Sequence, residues 1–268
     1  IPLPKTKPER SGKLRDWWDA FENCYVFDQY FEDDRQRQIA IAGYFGLISF
    51  IDNHIGRIMQ VMEETGLMGN TRIAFTSDHG ENLGTRGLWG KSTMYEESVG
   101  VPLIMAGEDI PTGKVVETPV SLIDFYPTIL RCIGIPPNDQ DRERPGRSLL
   151  DLAREGDDAE RMVLSEYHAT ASKTGVFMLR NGRYKYIHYV SHGTELFDLE
   201  MDPEELRDLS SYPGHQSMIR EFEKRLRDIL DPEAVDANAK QDQNAVIAEL
   251  GGRDAVLKRD VPISTPAP

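Results

Sequence analysis

The sequence predicts an α/β fold with a mostly parallel sheet, followed by a small α+β subdomain built on an antiparallel sheet. A long helical pattern precedes two short apolar stretches, and a second helical pattern follows them. Helices that alternate with buried strands are typical of α/β domains. Further along, short strand-like stretches are separated by turn residues, which is typical of antiparallel sheets.

The 268 residues divide into four predicted parts. Residues 1–36 form a lead-in segment that is rich in proline and then in aromatic residues, which we expect to pack in a core. Residues 37–160 carry the α/β pattern, and residues 161–231 carry the antiparallel sheet with a helix. Residues 232–268 are polar and Ala-rich, and they are predicted to form an extended tail.

The first long helix is predicted from the spacing of its apolar residues. They recur at steps of three and four, as on one face of a helix. Gly66 follows as a stop signal. The pattern indicates a long, largely buried helix whose apolar positions are Ile41, Phe45, Ile48, Ile51, Ile55, Ile58 and Met62.

Two apolar stretches and a helix complete the α/β part. Residues 73–76 and 101–105 are predicted buried strands, and the stretch SLIDFYPTIL is a predicted helix. Ser121 is its predicted cap, and Pro127 lies in its first turn or kinks it. Glu96 and Glu97 between the strands are interpreted as carboxylates at the start of a helix.

The subdomain is predicted from the stretches MVLSEYH, GVFMLRNG, RYKYIHYVS and TELFDLEMD. Asn181-Gly182 between two of them is a strong hairpin signal. The stretch HQSMIREFEKRLRDIL then has the pattern of an amphipathic helix.

Charge and composition exclude some partners. The chain has 31 Lys and Arg against 45 Asp and Glu, a net charge of −14. Nucleic acids and anionic membranes repel such a chain, so neither is an expected partner. No run of about 18 apolar residues is evident, so no membrane span is expected. An anionic substrate stays possible, because a metal ion and a few cations can invert the field locally.

The strongest chemical signal is Asp78-His79-Gly80, directly after a predicted strand. Ligands collect at the carboxyl ends of strands in α/β sheets. A carboxylate and a neutral imidazole are both metal ligands, and Gly80 permits a sharp turn beside them. Alternatively, Asp78 caps a turn and His79 is an ordinary loop residue.

Lys91 and His168 are weaker candidates. Lys91 lies between Gly90 and Ser92, where its ammonium can approach an oxyanion, although a solvated surface lysine is the commoner case. His168 ends a strand-like stretch and either lines a pocket or is a satisfied polar residue. The chain contains no GxSxG, Walker loop or HExxH motif.

The long helix, the TSDHG loop, the loop with Lys91, and the YEES and VPLI segments follow one another in a distinctive order. This stretch resembles the C-terminal half of the catalytic domain of sulfatases, which belong to the alkaline-phosphatase-like superfamily. SLIDFYPTIL and the later strands are similar to the elements that follow in that family. The resemblance covers about residues 37–230, and it is strongest to the choline-sulfatase and phosphonate-monoester-hydrolase branch.

The resemblance implies a mechanism and roles for individual residues. Sulfatases attack sulfur with a formylglycine, while a divalent metal, here Ca²⁺ or Mn²⁺, polarises the ester oxygens. Asp78 and His79 match metal ligands of the family, and Lys91 matches its sulfate-contacting lysine. His168 becomes a candidate for the substrate pocket.

One departure from the family is large. Formylglycine forms in a C/S-x-P-S-R motif, but neither Cys24 nor Cys132 begins one, so the chain holds no nucleophile. We therefore expect a fragment of a sulfuric-ester hydrolase, the nucleophile-bearing half being absent, and no turnover by this chain alone. Its expected substrate is a small sulfate ester.

Two other functions stay open. One is a phosphonate monoester or phosphodiester hydrolase of the same superfamily. The other is a non-catalytic interaction module. The tail resembles tails that link subunits in this branch, so we also expect a homo-oligomer that assembles through it.

Overall fold

The computed structural model describes residues 1–4, 10, 12–24 and 26–258. Short 3-10 helices occur at Phe27–Tyr30, Met68–Asn70, Thr85–Gly87, Leu122–Asp124 and Pro213–His215. The α-helices and strands, in chain order, are α1 Gly12–Cys24, α2 Asp34–Glu64, β1 Ile73–Thr76, α3 Glu96–Val99, β2 Leu103–Ala106, α4 Phe125–Cys132, α5 Asp139–Arg142, α6 Leu149–Leu152, β3 Val163–Tyr167, β4 Val176–Arg180, β5 Tyr184–Tyr189, β6 Gly193–Asp198, α7 Gln216–Ile229, α8 Pro232–Glu249 and α9 Arg253–Leu257.

The long helix α2 forms as predicted. The Asp33 carboxylate caps it by accepting the Gln36 N–H at 2.8 Å, and Gly66, with φ of 72°, follows its end. The prediction that α2 is largely buried is wrong, since Ile41 is its one buried residue. Helical spacing identifies an apolar face but not what covers it. The exposed apolar residues of α2 are Ile39, Phe45, Leu47, Ile48, Phe50, Ile51, Ile58, Met59 and Val61.

By length and composition, α2 is also apolar enough to cross a membrane, and within the described residues it is the one helix that passes this test. The expectation of no such segment was therefore too strict. Core helices of soluble proteins pass the same test, so it does not by itself indicate a membrane protein.

The first sheet contains β1 and β2, which pair antiparallel with Ile73 opposite Ala106. A mostly parallel sheet, as predicted for this part, is not present among the described residues. The alternation of helix and strand patterns does not fix strand direction, and the connection between these strands holds only short helices. Phe75 and Ile104 remain partly exposed on this small sheet.

The second sheet confirms the predicted antiparallel subdomain. Its strand order is β3-β4-β5-β6, and every neighbouring pair is antiparallel. The predicted hairpin joins β4 to β5, where the Asn181 side-chain oxygen accepts the N–H groups of Arg183 at 3.1 Å and Tyr184 at 2.7 Å. The Asn181 N–H also donates to the Tyr184 carbonyl at 3.1 Å, so side-chain hydrogen bonds reinforce the backbone pairing at the turn.

Each face of this sheet carries its own core. On one face, Trp17, Trp18 and Phe21 of α1 pack with Tyr95 and Tyr189, so these aromatic residues lie in a core as predicted. On the other face, the predicted amphipathic helix forms as α7. It buries Phe222 and Leu226 against a set made by Phe177, Leu179, Tyr186, Val190 and Leu196.

The tail prediction is wrong as far as Leu257, because residues from Pro232 onward form α8 and α9. Asp231 caps α8 by accepting the Ala234 N–H at 3.0 Å, and Pro232 suits the first helical position. Asp236 of α8 accepts the Gly175 N–H at 2.7 Å, which joins this helix to the sheet. Residues 259–268 lie outside the described part, and assembly through the tail stays a prediction.

Helix α3 holds the loop that follows β1. The Gly80 N–H donates to the Ser98 carbonyl at 2.8 Å. A Cβ on Gly80 would lie 2.0 Å from the Glu97 carbonyl oxygen, so the loop backbone rests directly on α3. Gly80 is therefore required for this close approach, and not for the sharp turn that the sequence suggested.

Truncation of the α7 core should destabilise the fold. Leu226 has no exposed surface, so Leu226→Ala removes buried methyl groups and leaves a cavity. We expect the free energy of unfolding to fall by about 2–5 kcal/mol in urea denaturation. Leu257, which is 72% exposed, provides the matched control, and Leu257→Ala should change it by less than about 0.5 kcal/mol. Equal losses would contradict the α7 packing.

The contact between Gly80 and α3 gives a second test. Gly80→Ala should lower the free energy of unfolding by about 1–3 kcal/mol, because its Cβ forces the loop away from Glu97. Gly46 in α2 is the control, since a Cβ there meets no atom within 4 Å. Gly46→Ala should raise it by about 0.5–1 kcal/mol. A neutral Gly80→Ala would show that the loop does not rest on α3.

Candidate active site

A cleft of about 640 Å³ opens where the loop after β1, helix α3 and the second sheet meet. Asp78, His79 and Lys91 line it from the loop. Glu96 lines it from α3, and Arg180 lines it from the end of β4. The cleft therefore joins the α/β part to the antiparallel subdomain.

The predicted metal pair and the predicted lysine meet in this cleft. The His79 Nε2 atom lies 3.3 Å from the Asp78 Oδ2 atom and 2.6 Å from the Lys91 Nζ atom. The loop folds back between them, because the Asn82 N–H donates to the Gly90 carbonyl at 2.7 Å. His79 and Lys91, twelve positions apart in the sequence, thus have their side-chain ends in contact.

The orientation of the His79 ring suits metal binding. Its Nδ1 atom lies 2.9 Å from the Gly80 carbonyl, which only accepts hydrogen bonds, so Nδ1 donates there. The Nε2 atom then presents its lone pair to the cleft, where Lys91 donates to it. A hydrogen bond on the far nitrogen is the usual way in which proteins orient a ligating histidine.

Asp78 stays ionised in this setting. Burial acts to raise its pKa, but the neighbouring His79, backbone N–H groups and the Ser77 hydroxyl outweigh that effect and lower it. The carboxylate is 81% exposed, so it can take up a cation without breaking a buried contact. An ionised oxygen and a neutral imidazole nitrogen are the forms that bind metals.

The fit to a divalent metal is partial. The Asp78 and His79 donors converge on one side of the loop and are free of strong competing carboxylates. Among the described residues, however, no three His, Cys, Asp or Glu side chains come together in a possible metal site. These two residues therefore fit a metal ion only as part of a larger ligand set.

The structure does not bring His168 to the cleft. Its ring packs edge-on against Phe177 at 5.2 Å, and Phe177 belongs to the core on the α7 side of the sheet. Met178, the next residue of β4, lines the cleft, so His168 contacts the opposite face. The sequence shows that His168 follows a strand. It does not show on which face of the sheet the side chain lies, because a shift of one residue along the strand reverses the face.

Sequence reasoning missed the charged residues that support the cleft. Lys185 of β5 and Glu205 are both fully buried and form an ion pair at 2.8 Å, and Lys185 also contacts Glu96 at 2.6 Å. Arg86, buried beneath the loop, pairs with Glu97 at 2.8 Å. A charge in an alternating strand pattern normally faces solvent, so the pattern gave no signal of these contacts.

Comparison with known proteins identifies the family. The model of the sulfatase family matches residues 19–135. A second model, described as the C-terminal part of N-sulphoglucosamine sulphohydrolase, matches residues 84–231, which is more than half of the chain.

Individual relatives agree with these matches. Arylsulfatase K of Xenopus laevis is 32% identical over 89% of this chain and 45% of its own length. Choline-sulfatase of Rhizobium meliloti is 36% identical over 75% of this chain and 39% of its own length. The chain thus spans less than half the length of these relatives.

A solved structure extends the similarity to the fold. The phosphonate monoester hydrolase of Silicibacter pomeroyi superposes with a TM-score of 0.66 at 27% identity. The superposition covers 84% of this chain and 49% of that one. On these grounds, and in agreement with the resemblance found in its sequence, the chain belongs to the sulfatase family of the alkaline-phosphatase-like superfamily.

Proposed function

We propose that this chain provides the metal-binding and sulfate-binding part of a sulfuric-ester hydrolase site. Asp78 and His79 are the proposed metal ligands, and Lys91 is the proposed contact to the sulfate group. The observation that best supports this is the convergence of His79 Nε2, Asp78 Oδ2 and Lys91 Nζ at one point of the cleft. The proposed substrate is a small sulfate ester.

The proposed chemistry divides between the metal and the protein. Sulfatases generally use a metal ion and a formylglycine. A bound Ca²⁺ or Mn²⁺ would polarise the ester oxygens as a Lewis acid. Lys91 would neutralise charge on the sulfate oxygens as a compact ammonium, and the Gly80 carbonyl keeps the His79 ring turned with Nε2 toward Lys91 and the cleft.

The nucleophile is proposed to come from outside these 268 residues. Neither Cys24 nor Cys132 precedes a Pro-Ser-Arg sequence, and neither side chain lines the cleft. The exposed apolar residues of α2 and of the β1–β2 sheet support the same proposal, because they form faces that a further layer of an α/β domain would cover. The chain alone is then inactive, and activity requires the complete protein.

An interaction module without catalysis is less well supported. A binding surface has no need for an ionised carboxylate and an oriented imidazole beside an ammonium. Metal binding separates the two functions directly, because only the hydrolase requires it.

Asp78 gives the test of metal binding. In the complete protein, Asp78→Asn should raise the dissociation constant for Mn²⁺ by more than about 100-fold, since a ligand contributes more than the outer-shell groups around it. Asp242→Asn, on the exposed surface of α8, is the matched control and should leave the constant unchanged. Equilibrium dialysis measures both. Unchanged binding in Asp78→Asn would exclude Asp78 as a ligand.

Lys91 gives the test of sulfate binding. Lys91→Met should lower kcat for an aryl sulfate by about 10²–10³-fold, the usual cost of removing one donor to a developing anion. The exposed Lys224 of α7 is the control, and Lys224→Met should retain full activity. Near-normal turnover by Lys91→Met would contradict its role.

A phosphonate monoester hydrolase is the second candidate function, favoured by the superposition on such an enzyme at 27% identity. A sulfate monoester and a phosphonate monoester both present an anionic tetrahedral centre to the metal and Lys91. The kcat/KM of the complete protein for an aryl sulfate and for a phenylphosphonate ester decides between them. A higher value for the sulfate supports our proposal, and a higher value for the phosphonate overturns it.

A further inference from the structure

Lys185 is a buried cation that no step of the proposed function uses. It lies on β5 in the antiparallel subdomain, and its side chain has no exposed surface. Its ammonium contacts three acceptors: the Glu96 carboxylate at 2.6 Å, the Glu205 carboxylate at 2.8 Å and the Met94 carbonyl at 2.9 Å. The two carboxylate contacts are ion pairs, and the Met94 carbonyl accepts a hydrogen bond from the ammonium.

These acceptors fix the start of α3 from several sides. Glu205, also without exposed surface, accepts the Glu96 backbone N–H at 2.7 Å in addition to Lys185. The second oxygen of Glu96 accepts from Arg180 at 3.1 Å. Both the backbone and the side chain of Glu96 are thus tied to the antiparallel subdomain. The first turn of α3 cannot shift without breaking these ion pairs and the hydrogen bond from the Glu96 backbone to Glu205.

Helix α3 in turn determines where the proposed metal pair lies. The Gly80 backbone rests on Glu97 and donates to Ser98. The Gly80 carbonyl holds the His79 ring through Nδ1 at 2.9 Å. A continuous series of contacts therefore runs from Lys185 through α3 and Gly80 to the imidazole that faces the cleft.

Arg86 supports the loop between His79 and Lys91 at a second point. Arg86 donates to Glu97 at 2.8 Å and to the Glu204 carbonyl, and its guanidinium lies 3.9 Å above the Tyr95 ring. Arg86 has a φ of 57°, an unfavourable conformation for a residue with a side chain. The contacts with Glu97 and Glu204 compensate for that strain, so the loop between His79 and Lys91 is held at its middle as well.

We propose that Lys185 is a positioning residue for the metal-binding pair: it fixes α3 so that His79, and through the loop Lys91, keep their places in the cleft. The inference rests on the proposed function, since it assigns Lys185 to the same site. The antiparallel subdomain then has a role in the chemistry beyond covering the core. An apolar side chain could fill the space of Lys185, but it could not hold Glu96, Glu205 and Met94 at fixed positions.

Lys185→Met in the complete protein tests this inference. We expect the dissociation constant for Mn²⁺ to rise by about 10–100-fold, the usual effect of losing an outer-shell partner of a metal site. Electron paramagnetic resonance of free Mn²⁺ measures it in protein that circular dichroism shows to be folded. Glu205→Gln keeps the shape of its side chain but removes the charge that Lys185 binds. Glu205→Gln should also raise the dissociation constant for Mn²⁺. It takes the place of Lys185→Met in the test if the Lys185 variant does not fold.

Leu226→Ala is the control for a merely structural effect. It weakens the same subdomain from the opposite face of the sheet, away from α3. It should lower the unfolding temperature and leave the Mn²⁺ constant of the folded protein unchanged. If the Lys185 and Glu205 variants also leave that constant unchanged while Asp78→Asn raises it, Lys185 is not a positioning residue. If Asp78→Asn has no effect either, the proposed function itself fails.

Discussion

The structure depends on a buried ion pair between Lys185 and Glu205 that closes around the first turn of α3. Burying charges in a protein is costly, and only good geometry with satisfied hydrogen bonds offsets the cost. Here the Lys185 ammonium contacts two carboxylates and donates to the Met94 carbonyl, and Glu205 accepts a backbone N–H as well as contacting the ammonium. The two parts also share an apolar core, in which Leu88, Met94 and Tyr95 pack with residues of the antiparallel sheet. The loop after β1 therefore takes its position from a sheet that lies more than eighty residues further along the chain.

The distribution of apolar surface divides the molecule in two. The antiparallel subdomain buries both faces of its sheet, one against α1 and the other against α7. By contrast, α2 leaves most of its apolar residues exposed, and Ile104 of β2 is 63% exposed. A two-stranded sheet without cover is at best marginally stable in water. The buried cores of the chain are thus those of the antiparallel subdomain with α1 and α7, and the proposed site is held from that side.

Sequence patterns correctly predicted the elements that depend only on neighbouring residues. The hairpin at Asn181, the amphipathic α7 and the loop with Asp78 and His79 each follow from neighbouring residues, and the structure contains all three. The predictions that failed depend on residues that are distant in the sequence. They concern the burial of α2, the direction of β2 relative to β1 and the face of the sheet on which His168 lies. The helix α8 was missed although Asp231-Pro232-Glu233 is a local start signal, because its polar composition outweighed that signal. The role of Lys185 could not be found, since nothing nearby in sequence indicates that it contacts Met94, Glu96 and Glu205.

The charges that line the cleft bear on the proposed anionic substrate. The chain has a net charge of −14, and its cleft is lined by two cations, Lys91 and Arg180, and by carboxylates that include Asp78, Glu117 and Glu166. Glu96 also lines the cleft, but Lys185 and Arg180 bind its two oxygens, which neutralises its field there. The buried lysine thus fixes α3 and also removes a negative charge from the wall of the cleft. Replacing Lys185 with a neutral residue would leave Glu96 less compensated beside the proposed sulfate position, so geometry and electrostatics both favour a cation at this point of β5.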